Sequence, residues 1–163
     1  IEKCFLLDSH YEFGKDYADR INKLDIYSKG FHTGCIDCII PVGNNIDESK
    51  WWIIDWKSNF ISANDKTKSY PFNYDYKNMK EEMFKHHYPL QAHLYLLALH
   101  RFLQWRQPNY LPQKSLGGYI YIFIRGLPNS DEKSFSQDFI PGIFSSEVSI
   151  KRILYLDKLF KYD

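Results

Sequence analysis

The chain has 163 residues, a formal net charge of +1, 44% hydrophobic residues and 18% aromatic residues. That length suits one domain with a sizeable core, and the composition excludes a disordered segment. The near-neutral balance argues against a protein that holds nucleic acid through non-specific phosphate contacts alone, so a DNA-binding piece of this kind is expected to grip weakly and to depend on a larger assembly. No run is long and apolar enough for a membrane span and no signal peptide is visible, so a cytoplasmic location without a membrane partner is expected. Because the chain begins at Ile1, it is read as a fragment of something longer.

In chain order, residues 2–7 read as a short strand. Residues 8–25 are polar and irregular, a loop with one helical turn, and residues 27–32 lead into the centre of the chain. From 34 to 59 two apolar strands are joined by the polar loop Gly43-Asn44-Asn45-Ile46-Asp47-Glu48-Ser49. Gly and Asn tolerate positive φ, which gives a hairpin turn there a mechanism.

Each strand carries one carboxylate, Asp37 in the first and Asp55 in the second. If the hairpin closes symmetrically about Ile46, the two fall opposite each other on one face, with Cβ atoms roughly 5 Å apart. Lys57 points to the same face and Trp56 to the other. Two anions at that spacing need a raised pKa or a cation between them. The plain reading is a buried ion pair of Lys57 with one acid, which leaves the second acid unexplained. A hard divalent cation such as Mg²⁺, bound through oxygen, explains both.

The cysteines, Cys4, Cys35 and Cys38, are odd in number, and nothing points to secretion. Cys35-x-x-Cys38 matches redox or zinc spacing, but on a strand the two sulfurs would face opposite ways. All three are read as small buried filler.

Residues 62–74, with Lys66, Lys68 and Pro71, read as a loop: plain and solvated, or in contact with a phosphate backbone. A short helix is expected at 75–86 with Met79 and Met83 inside. Pro89 suits the first turn of a second helix running to about Gln104. That helix carries two apolar stripes, Leu90, Leu94, Leu97 and Leu96, Leu99, Leu103. Gln91 and Tyr95 share one of its faces, alone no more than filler at the core edge. Pro108 and Pro112 precede a strand at 119–125, apolar on both faces and therefore interior. Strand, helix and strand from 51 to 125 form a crossover unit, expected to be right-handed. A polar loop at 127–144 and an amphipathic helix at 147–160, using Val148, Leu154 and Leu159, complete the chain. The expected fold class is α/β, a mixed central sheet flanked by helices in a single domain.

Gly34-x-x-Asp37, then Asp55-x-Lys57-Ser58-Asn59, then Gln91-x-x-x-Tyr95, resembles the PD-(D/E)XK (restriction-endonuclease-like) nuclease superfamily. More narrowly, the chain is similar to the C-terminal nuclease domain of the RecB-type subunit of exodeoxyribonuclease V. Residues 96–103, Leu-Leu-Ala-Leu-His-Arg-Phe-Leu, and 117–126, Gly-Gly-Tyr-Ile-Tyr-Ile-Phe-Ile-Arg-Gly, also resemble that subunit. The likeness is dense from about residue 30 to 127. In the related subunit a strand like 2–7 stands ahead of the hairpin, and a still earlier helical region holds a histidine of the metal site. Its counterpart would lie before Ile1, so the fragment is expected to lack the N-terminal helix of the nuclease core. His10 and His32 are the nearest substitutes, but neither occupies a matching motif, and both read as surface or loop histidines. Iron–sulfur clusters occur in some related nucleases; the cysteine spacing here does not support one.

The resemblance implies Mg²⁺-dependent hydrolysis of DNA phosphodiester bonds, with Mn²⁺ as a substitute. Asp37, Asp55 and the Trp56 backbone carbonyl would hold the metal. Lys57 would orient or activate water and stabilise developing charge, and Gln91 and Tyr95 would position the DNA. The whole protein would join helicase and nuclease work at double-strand ends, with partner subunits of a RecBCD-type repair and recombination complex. Two alternatives remain: a non-catalytic nuclease-like module that guides DNA or docks a partner, and a stand-alone restriction or repair nuclease. Activity of the isolated fragment is left open.

Overall fold

The structure is a computed structural model, and it describes residues 1–23, 33–62, 69–129 and 139–161. It is α/β: a four-stranded mixed sheet in the order β1-β2-β3-β4, with helices packed on it. Strands β1 (Cys38–Val42) and β2 (Lys50–Lys57) form the expected antiparallel hairpin. Their pairs run from Cys38 with Ile54 to Val42 with Lys50, and every pair is centred on Ile46. The turn works differently from the expectation. No residue of it has a positive φ; a 3₁₀ turn at Ile46–Glu48 closes it, capped by Asn45 Oδ1 accepting from Glu48 N at 2.9 Å. Gly43 serves closeness instead, since a Cβ there would lie 2.8 Å from Ser49 Oγ.

β2 pairs in parallel with β3 (Leu116–Phe123), as a crossover unit requires, and β3 pairs antiparallel with β4 (Ile143–Glu147). β3 is interior and buried on both faces, as expected, but it begins three residues earlier than residue 119 and gives way to a 3₁₀ turn at Ile124–Gly126. A register shift between Trp51 and Trp52 leaves Gly117 unpaired. A Cβ on Gly117 would stand 2.2 Å from Trp52 Nε1, so the glycine makes room for the indole. Strand β4 lies at the end of the stretch expected to be loop. Its sequence, Ile-Phe-Ser-Ser-Glu, has too little apolar alternation to signal a strand, and ladder pairing with β3 creates it.

The crossover contains α3 (Tyr76–Lys85) and α4 (Tyr88–Arg106). Asp75 caps α3 by accepting from Asn78 N at 2.7 Å. Met79 and Met83 are fully buried, as expected. His87, at φ 53°, turns the chain sharply into α4, and Pro89 sits in its first turn. Leu96, Leu99 and Leu103 form the inner stripe; Leu90 and Leu94 are half-buried. The buried face of α4 also takes in His93 and His100, which the leucine pattern did not single out.

The two ends depart most from expectation. Residues 2–7 are not a strand: Glu2–Leu6 is a helix, α1. Adjacent Cys4 and Phe5 are both fully buried, which a helical turn packed against the core accommodates without a sheet on either side. The segment 8–25 contains a seven-residue helix, α2 (Lys15–Ile21), longer than one turn and buried through Tyr17, Ala18 and Ile21. Following a four-residue helix, α5 (Pro112–Ser115), the last helix is α6 (Ile150–Leu159), capped by Ser149. It starts later than residue 147 because Glu147 belongs to β4. Its inner face is Arg152, Ile153 and Leu156, while Leu154 is exposed. A buried guanidinium rotates the helix away from the face its leucines suggest.

Candidate functional site

The site lies where β2 ends beneath α4. Continued by one residue, the β1–β2 register would set Asp37 opposite Asp55, but regular pairing begins at Cys38, so Asp37 stands just outside the ladder. Its Oδ2 accepts a hydrogen bond from Trp56 N at 3.0 Å. The N–H and C=O of one strand residue project to the same side, so the Trp56 carbonyl is directed toward Asp37 as well. The Trp56 indole points away and is largely exposed.

Asp55 is only 3% exposed. Burial pushes its carboxyl above the usual range; the Lys57 ammonium pulls the other way, and the negative charge of Asp37 adds to the rise. Lys57 Nζ makes an ion contact with Asp55 Oδ2. That oxygen receives no well-aligned hydrogen bond among the described residues, so charge holds this pair more than directional bonding does.

Lys57 is enclosed on its other sides. Its ammonium donates to Gln91 Oε1 at 3.1 Å, stands 4.2 Å from the Tyr88 ring centroid, and stands 5.2 Å from that of Tyr121. Gln91 Oε1 also accepts from the Tyr121 hydroxyl, and Gln91 Nε2 donates to the Tyr95 hydroxyl, each at 3.1 Å. Burial raises the Tyr121, Tyr88 and Tyr95 pKa values, and Asp55 adds to each rise, so these phenols stay protonated. The Tyr95 ring in turn covers Gly34, where a Cβ would meet Cε1 at 3.1 Å. Three sequence blocks thus meet at one place: Gly34 under Tyr95, Tyr95 on Gln91, Gln91 on Lys57, and Lys57 on Asp55.

Tyr88 and Tyr121 are the residues that sequence reasoning missed here. Tyr88 was hidden beside Pro89 at the helix start, and Tyr121 read as one more apolar strand residue. The signal for Tyr121 was present, since its side chain shares a face with Tyr119 and Phe123 on the strand beside Asp55. Asn59, from the Asp55-x-Lys57-Ser58-Asn59 block, accepts from the Tyr88 hydroxyl at 3.0 Å through Oδ1 and donates to Glu82 Oε1 at 2.9 Å.

Cys35 and Cys38 are not buried filler: Cys35 is exposed and Cys38 half-buried, because β1 is an edge strand whose pairing starts only at Cys38. Cys4 is buried as expected, and burial pushes its thiol up to about 12. His10 is exposed in the turn after α1. His32 lies outside the described residues, as do Lys66 and Lys68.

Among the described residues no group of three or more His, Cys, Asp and Glu converges on one point. The candidate metal ligands are therefore two carboxylates and one carbonyl. This set fits a hard cation. Every donor is oxygen, and the buried Asp55 Oδ2 touches the Lys57 ammonium while receiving no well-aligned hydrogen bond among the described residues.

No protein-family model matches the chain. The RecBCD enzyme subunit RecB of Mycolicibacterium smegmatis is 36% identical over 132 residues, covering 80% of this chain and 11% of that protein. The RecB subunit of Haemophilus influenzae is 33% identical over 81% of this chain and 9% of its own length. The RecB subunit of Escherichia coli is 30% identical over 81% of this chain and 10% of its own. Over about four fifths of its length the chain is homologous to RecB subunits. It spans about a tenth of the length of these RecB relatives, and the matched part includes the resemblance drawn from its motifs. No helix among the described residues is long and apolar enough to cross a membrane.

Proposed function

We propose that this chain is the nuclease domain of a RecB-type subunit, a metal-dependent deoxyribonuclease working with DNA and with partner subunits of a RecBCD-type complex in double-strand-end processing and recombinational repair. The observation that carries it is the meeting of Asp37, Asp55 and Lys57 at the end of β2, with Gln91 and Tyr95 of α4 closing over them. Asp37, Asp55 and the Trp56 carbonyl would hold the cation, Mg²⁺ with Mn²⁺ as a substitute. When bound, it supplies Lewis-acid activation of water and offsets charge on the phosphoryl oxygens.

The chain's own residues do the remainder. Lys57, held by Gln91 and the Tyr88 ring, presents a fixed positive charge where negative charge grows on the phosphate. Gln91 and Tyr95 position the strand beside it. The hydroxyl of Tyr121 keeps Gln91 in place from the sheet below.

A structural role for Lys57 is favoured by one observation, its direct contact with the buried Asp55. The two readings part in the full-length protein carrying Lys57→Ala. A catalytic Lys57 predicts that Mg²⁺-dependent DNA degradation falls by about two to three orders of magnitude, with unwinding retained. A structural Lys57 predicts loss of both activities together, since an unpaired buried acid costs roughly 3–5 kcal/mol. Degradation at the parent rate would refute both.

A further inference from the structure

Beside the site, a short segment displays aromatic rings to solvent. Tyr70 and Phe72 are stacked almost parallel, with centroids 5.3 Å apart and planes 7° apart, and they are 45% and 67% exposed. Two large rings stacked on each other and exposed together leave an apolar face on which a further flat group can stack.

The segment that carries them is firmly built. A 3₁₀ turn, Pro71–Tyr74, is locked by a reciprocal cap in which Tyr70 N donates to Asn73 Oδ1 at 2.9 Å. It is tied to the chain leaving β2. The Tyr74 hydroxyl donates to Asn59 O at 2.8 Å and accepts from Ile61 N at 3.2 Å, and Ser69 Oγ donates to Ile61 O. Since Asn59 also receives the Tyr88 hydroxyl, and the Tyr88 ring lies against Lys57, an unbroken set of contacts joins the stacked rings to the Lys57 ammonium.

Phe60, 43% exposed, sits on the same anchored segment. Arg125 adds a cation here: its Nε donates to Ser58 O at 3.0 Å, and the adjacent Gly126 packs so closely on Tyr74 that a Cβ would lie 2.3 Å from its ring. Exposed flat rings and a guanidinium held on the adjoining backbone of Ser58, leading into a site that would cut phosphodiesters, match how single strands are held: bases stack on aromatics while a cation meets the backbone. Duplex DNA keeps its base faces inside the helix and would gain nothing from such rings.

We propose that Tyr70 and Phe72 form a stacking platform for the unpaired bases of a single strand entering or leaving the Asp55–Lys57 site, with Arg125 beside it for a phosphate. The inference deepens the nuclease reading and rests on it for the identity of the strand.

The test uses the full-length protein and an oligothymidylate carrying 5-iodouracil, which on irradiation crosslinks to aromatic side chains it stacks against. The expected result is a crosslinked peptide spanning residues 69–74. Phe72→Leu and Tyr70→Leu, which keep apolar bulk and lose the ring, should each lower its yield by about fivefold or more, in the range of one lost base–aromatic stack. Phe72→Trp should restore it. In degradation assays Phe72→Leu should raise the KM for single strands about tenfold with kcat nearly unchanged. Cleavage by the parent without a crosslink in this peptide overturns the platform and leaves the nuclease reading standing. A ring-dependent crosslink without cleavage supports the platform and overturns the nuclease reading. An equal crosslink in the leucine variants overturns the platform outright, because the strand would then lie near the segment without stacking on it.

Discussion

Asp55 and Lys57 show how little of a site's electrostatics is visible in a motif. Asp-x-Lys places both side chains on one face of a strand, and nothing in that pattern says that Asp55 will be buried. In the folded chain burial raises its pKa, and this has a consequence for stability. An acid with a raised folded pKa contributes stability in full below its unfolded value of about 4, and that contribution is lost as pH rises through the folded value. In the absence of divalent cations, the melting temperature of the parent relative to Asp55→Asn should therefore fall as pH rises above about 4. Mg²⁺ should restore stability to the parent and leave the Asn variant unmoved. A difference that is flat in pH, or a Mg²⁺ effect equal in both proteins, would remove Asp55 from the proposed metal site.

At the scale of the element, α4 combines two jobs. Its inner leucines anchor it, and its first turns deliver Tyr88, Gln91 and Tyr95 to the end of β2. The Tyr121 hydroxyl, with one proton to share, stands 3.1 Å from the Tyr88 carbonyl as well as from Gln91 Oε1, which ties helix and sheet together beside Lys57. His93 lies between these functions. It is fully buried against Phe5 and Tyr119, and its Nδ1 bonds the Pro89 carbonyl at 2.7 Å, so Nδ1 carries the proton. Burial lowers its pKa to about 4. A histidine held neutral contributes stability that is complete above about 6.5 and lost as pH falls toward the folded value, worth roughly 3 kcal/mol here at 1.36 kcal/mol per unit. Urea titrations of parent and His93→Leu between pH 7 and pH 4 should converge as the pH drops. Parallel curves would show that His93 does not carry the acid sensitivity. The helix and its Gln-x-x-x-Tyr face were legible in the sequence because 3.6-residue periodicity is a local property. His93 was not, because its burial depends on α1, whose own short sequence reads equally as a strand.

At the scale of the molecule, the two ends of the described chain close on each other through Arg152. Its guanidinium donates to the carbonyls of Glu12 at 2.6 Å, Asp8 at 2.9 Å and Phe5 at 3.2 Å, while Ser149 Oγ donates to Asp8 Oδ2 at 2.8 Å. These contacts seat α1 and the turn after it against α6. Arg152→Met would strand three carbonyls, and it should cost about 3–5 kcal/mol in chemical denaturation with an unchanged m value. Metal binding and the site geometry should survive in the folded fraction. A loss below about 1 kcal/mol would mean that water replaces the guanidinium.

By itself, the sequence determined the hairpin register, the crossover helices, the likeness to RecB subunits, and the three blocks from which the candidate site is drawn. Each of these rests on local periodicity or on residue types at short spacing. Only the tertiary structure decided that 2–6 is a helix, that 143–147 is a strand, and that α6 turns Arg152 inward. These segments are short and weakly patterned, and their state is set by pairing or burial against residues distant in sequence, more than a hundred positions away for α1 and α6 and more than twenty for β4. The enclosure of Lys57 by Tyr88 and Tyr121 belongs to the same class. The contacts between β2, α4 and β3 join residues between thirty and sixty-four positions apart, and no periodicity within one segment reports what packs above it.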